Sequence, residues 1–172
     1  MRSLPLALVF FTACSFNLGP IGYDIPYDIP EQTVPGNAAA HAAGVVVGAP
    51  LTSFPVNIDL AQQAKANGVT AFSQVTLQSL SLSITKNSGC FDFVQDVSIT
   101  ISSTKAGTTL QPAVIATGSN PGCVQTFNLQ PNSTVDLKPY LDEGAQATPT
   151  AHGIPPASDV SFNGHLVAHA AL

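Results

Sequence analysis

Tryptophan is absent from this chain of 172 residues, methionine occurs once, cysteine three times, and Asp, Glu, Lys and Arg together make up only 9%. Five basic residues face ten acidic ones, for a formal charge of -5 and a pI near 5.0. That balance excludes the basic stripe on which nucleic-acid binding rests, and it excludes electrostatic capture by an anionic membrane surface. No run of about 20 apolar residues, the length a spanning helix needs, is present. No glycine-rich phosphate loop, no Gly-x-Ser-x-Gly elbow and no closely spaced cysteine pair occurs, which removes the common sequence signals for nucleotide binding, serine hydrolysis and structural zinc. What remains is 45% hydrophobic with a mean hydropathy of +0.27. Such a composition belongs to a folding chain and not to a disordered one. The length suits one domain.

The N-terminus has the form of an address. Met1-Arg2-Ser3 is a short positive start, and the ten residues from Leu4 to Ala13 are apolar and uncharged. Ten such residues match the core of a signal peptide. The segment ends in Phe11-Thr12-Ala13-Cys14, small residues directly before a cysteine. This pattern resembles the lipobox of bacterial lipoproteins, with Phe11 standing where leucine is usual. The resemblance covers the first fourteen residues. It implies that Cys14 is the lipid-attachment residue and the mature N-terminus, and that residues 1–13 are removed. Two or more acyl chains anchor a protein stably. The resemblance therefore places the chain in a bacterial cell envelope, held to the membrane through its N-terminal lipid, with Ser15 favouring the outer membrane.

An odd cysteine in an exported protein requires an explanation. If Cys14 carries lipid, Cys90 and Cys123 remain as a pair, each beside turn residues (Ser88-Gly89 and Pro121-Gly122). An oxidising compartment permits their disulfide; the alternative is two free buried thiols.

From Cys14 to Pro55 the chain holds six of its fourteen prolines and reads as a lipidated tether. Within it, Tyr23-Asp-Ile-Pro-Tyr-Asp-Ile-Pro30 repeats a four-residue unit. Tyr23, Ile25, Tyr27 and Ile29 share one face of an extended chain, and Asp24, Pro26, Asp28 and Pro30 share the other. Prolines of one parity lose their donors on one side only, as an edge strand tolerates. The expectation is an edge strand over 23–34. Asn37 to Gly44 is alanine-rich and reads as an insert or a helical turn around a lone histidine, His41.

Residues 56–172 read as the folded domain. Val97, Ile99 and Ile101 alternate with Ser98, Thr100 and Ser102, the mark of a half-buried strand. The apolar positions Val75 and Leu77 shift phase to Leu80, Leu82 and Ile84, which predicts a bulge near Gln78-Ser79. Val160, Phe162, Leu166 and Ala168 oppose Ser161, Asn163, His165 and His169. Asp59 to Ala66 and Pro139 to Gly144 are the short helical candidates. Many short strands between turns point to an all-β fold, an antiparallel β-sandwich. The immunoglobulin-like arrangement is the commonest solution of this kind, here without its usual core tryptophan.

A search for chemistry yields no catalytic, cofactor or metal constellation. His165 and His169 lie about 13 Å apart along a strand at 3.3 Å per residue, too far to share an ion. His152 falls in a proline-flanked stretch with no acidic sequence neighbour and reads as a loop residue. Asp92, Asp96, Asp142 and Glu143 lack the spacing of a calcium loop. The leading expectation is a non-enzymatic, lipid-anchored envelope protein with a structural or protein-interaction role and an envelope protein as partner. The alternatives are a module that binds glycan or lipid and, further off, a hydrolase or metalloprotein built from dispersed residues.

Overall fold

A computed structural model describes residues 22–50, 54–56, 58–68, 70–86 and 89–172. Cys14 and the leader therefore lie outside the described residues. Alternating apolar residues build the strands. β1 (Gly22–Val34) buries Ile25 and Ile29 and turns Asp24, Pro26 and Asp28 to solvent. β4 (Gln74–Lys86) buries Val75 and Leu77, then Leu80 and Leu82, and its register with β9 (Val160–Ala171) slips between Leu77 and Ser79. The phase shift in the sequence is this bulge. β5 (Val94–Ser103) buries Val97, Ile99 and Ile101.

Between these run α1 (Ala38–Ala42), β2 (Val47–Pro50), β3 (Phe54–Val56), α2 (Leu60–Ala66), β6 (Ala113–Ser119), β7 (Thr126–Pro131), α3 (Lys138–Glu143) and β8 (Ala145–Gly153). The helices are short and capped as their sequences suggest. Asn37 and Asp59 accept N–H bonds at the starts of α1 and α2, and Gly144, at φ 86°, ends α3.

The strand order is β1-β9-β4-β7-β6-β5-β8-β2, antiparallel throughout, with β3 on β8 beside β2. β7 is the corner. Its residues Thr126 to Leu129 pair with β4, and Gln130 and Pro131 pair with β6. The sheet thus curls into two layers whose inner faces form the core, and the expected antiparallel sandwich is present. Its pairs are nested: β1 with β9, β2 with β8, β4 with β7 and β5 with β6. Nested pairing of this kind is a jelly roll. The immunoglobulin-like arrangement is thereby corrected, because that arrangement does not wrap its outermost strands around the inner ones.

Two further expectations change. The sandwich begins at Gly22, and β1, β2 and β3 are part of it, so the boundary at Val56 and a tether reaching Pro55 do not hold. The Ile25 and Ile29 face completes the core, which residues 56–172 leave open on that side. His152 lies in β8 and not in a loop. Buried Ala145, Ala147 and Pro149 carry the inner face of that strand, and residues so small or atypical give no hydrophobic alternation. Pro149 is tolerated because it falls between the stretches of β8 that β2 and β3 cover.

Candidate functional site: an aromatic-floored cavity and three histidine–aspartate pairs

The Cys90–Cys123 disulfide, with a Cα–Cα separation of 4.9 Å, ties the approach to β5 to the β6–β7 connection. Directly after Cys90, a single 3-10 turn over Phe91–Phe93 drives Phe91 into the core. Its ring meets Phe93, Phe127 and Phe162 with centroids 6.0, 5.9 and 6.2 Å away. These rings, from the 3-10 turn, β7 and β9, floor a cavity of about 590 Å³ between the layers. Its rim is built by α1 and by the β8–β9 connection. That rim is tied together by Asn37 N to Pro156 O (2.8 Å), Gly36 N to Asp159 Oδ1 (2.8 Å) and His41 Nδ1 at Pro155 O (2.9 Å). A second hollow of about 610 Å³ opens beside β6 and β7 and is lined by polar residues such as Asp96, Thr117, Asn128 and Gln130.

Three histidines stand directly opposite aspartates on neighbouring strands. Nδ1 of His169 lies 2.8 Å from Asp24, that of His165 lies 2.8 Å from Asp28, and that of His152 lies 2.7 Å from Asp96. The register sets each pair: Asp24 against His169, Asp28 against His165, Asp96 against His152. A carboxylate accepts only, so each Nδ1 donates. The missing acidic neighbour of His152 is therefore supplied by β5, far away in sequence. The signal was present for the other two, since both the aspartates and the histidines are spaced by four and antiparallel strands bring them together in reverse order. His169 lies across Gly22 and His152 across Gly48, glycines of the two edge strands where any Cβ would strike the imidazole.

Among the described residues, no group of three or more His, Cys, Asp and Glu is placed to hold a metal ion. Two carboxylates are perturbed. Thr108 and then Ser103 donate to Glu143, with Lys105 beside it, and hold its pKa below the ordinary value. Lys86 and then Thr85 do the same for Glu31. Both sites brace loops and strand ends.

No family model and no curated protein matches the chain. Among solved structures, it is similar to the decameric BFDV capsid protein, with a TM-score of 0.46 and 8% identity over 87% of this chain and 99% of that one. It is also similar to a chain of infectious bursal disease virus, with a TM-score of 0.39 and 14% identity over 98% of this chain and 37% of that one. A third likeness is to the capsid of Helicobacter pylori bacteriophage KHP30, with a TM-score of 0.34 and 9% identity over 88% and 94%.

Proposed function

We propose that this chain is a non-enzymatic, lipid-anchored protein of a bacterial envelope with a structural or protein-interaction role, moored through Cys14. The observation that carries the reading is the Cys90–Cys123 bond. It accounts for two of the three cysteines, suits an oxidising compartment and leaves Cys14 as the odd one, at the end of a signal-like apolar run. Metabolic labelling with an alkyne fatty acid tests the anchor. Wild type is expected to be labelled and to fractionate with the outer membrane, and Cys14→Ala is expected to lose the label. Equal labelling of the two rejects the reading.

A second reading, a ligand-binding module, is favoured by the cavity above, whose size falls within the range of small-molecule sites.

A further inference from the structure

We propose that the aromatic-floored cavity is a binding site for one acyl chain, lying between the two sheets with its polar end at the rim beside His152. The walls decide the ligand class. Among the described residues, no Asp, Glu, Lys or Arg side chain lines the cavity, and its polar side chains, Thr33, Asn37 and His152, are all exposed at the rim. A glycan would need polar partners along its length, and among the described residues the polar side chains are confined to the rim. The floor is closed to water, with Phe91, Phe127 and Phe162 only 2, 6 and 4% exposed. Facing sheets stand about 10 Å apart, so a space of about 590 Å³ between them is a slot suited to a chain and not to a bulky ring system. The approach is apolar as well: Val45, Val46 and Val47 are 48, 51 and 41% exposed, and Val47 belongs to the rim. Hydrogen bonds between α1 and the β8–β9 connection fix that rim before any ligand arrives.

The proposed occupant is a separate molecule, which the Cys14→Ser variant distinguishes from the chain's own anchor. β1 starts at Gly22 and reaches the cavity only at Thr33 and Val34, roughly 40 Å away at 3.3 Å per residue. The eight residues from Cys14 to Gly22 span at most about 29 Å, so the peptide alone does not bring Cys14 to the mouth, and an acyl chain on Cys14 would have to supply the remaining reach.

The test is a titration of the full-length protein and its Cys14→Ser variant with cis-parinaric acid, in detergent below its micellar concentration. One-to-one saturation is expected in both. Ala151→Phe and Val47→Trp, which fill the slot and its mouth, are each expected to weaken binding at least tenfold with unchanged circular dichroism and melting temperature. Ser83→Ala, on the outer face of β4, is expected to bind as wild type. Palmitic acid and lysophosphatidylcholine serve as competitors. Displacement by either supports the assignment, the first pointing to a free fatty acid and the second to a lipid tail. Native mass spectrometry of the wild type, which needs no variant, is expected to show a single adduct per chain. Non-saturable binding, undiminished binding by correctly folded filled variants, or binding confined to Cys14→Ser would each overturn the proposal. The last would mean that the protein's own acyl group occupies the slot.

Discussion

A methyl group added at Gly153 would fall 1.9 Å from the main-chain oxygen of Phe93. That oxygen belongs to the 3-10 turn that seats Phe91, so it cannot swing aside as a side-chain tip can. Gly153→Ala is expected to destabilise the fold by roughly 1–3 kcal/mol, as overpacking does, measured by urea unfolding. Glu143 makes a second prediction at this scale. Its carboxylate is held by Thr108 first and Ser103 next, which lowers its pKa from the ordinary 4.5. A lowered carboxylate stabilises the native state fully above its unfolded value, and the contribution is lost as the pH falls through the native one. Thr108→Val is expected to raise the Glu143 titration toward 4.5, followed by NMR. The variant should lose the part of the acid-side pH dependence that belongs to this residue. The histidine–aspartate pairs differ from these two sites in kind. They are exposed, so each contributes at most about 1 kcal/mol.

Strands carry the next level of explanation. Both edges of the curled sheet contain prolines, Pro26 and Pro30 in β1 and Pro50 and Pro55 in β2 and β3. A proline in a paired edge strand fits where its missing N–H faces away from the neighbour, and there it interrupts the row of donors that another chain would use. Pro26→Thr combined with Pro30→Thr is expected to produce concentration-dependent oligomers in light scattering where wild type stays monodisperse. Most strands could be read in advance wherever branched aliphatic residues alternate with Ser and Thr, as in β4 and β5. Even the bulge at Leu77–Ser79 left its mark as a change of phase. β8 could not be read, because Ala145, Ala147 and Pro149 are buried through size and position and not through hydrophobicity. The site was less legible still. The rings of the cavity floor come from three separate elements, and the histidine–aspartate pairs join residues 56, 137 and 145 positions apart. Local sequence patterns do not reach that far.

For the molecule as a whole, the disulfide is the covalent staple of one end. It closes a 33-residue loop that contains β5 and β6, and the chain-entropy estimate for such a loop is about 3–4 kcal/mol. Cys90→Ser with Cys123→Ser is expected to lower unfolding stability by that amount, and reductant added to wild type should reproduce the loss. The nested topology has its own consequence. β1 pairs with β9, and β9 also separates β1 from β4. Removing the residues after Asp159 is therefore expected to abolish cooperative unfolding altogether, seen by calorimetry, and not merely to lower its midpoint. Assembly of such long-range pairings is slow. On the ribosome, no closed interior can exist until β9 has emerged, because β1 and β4 meet only through it.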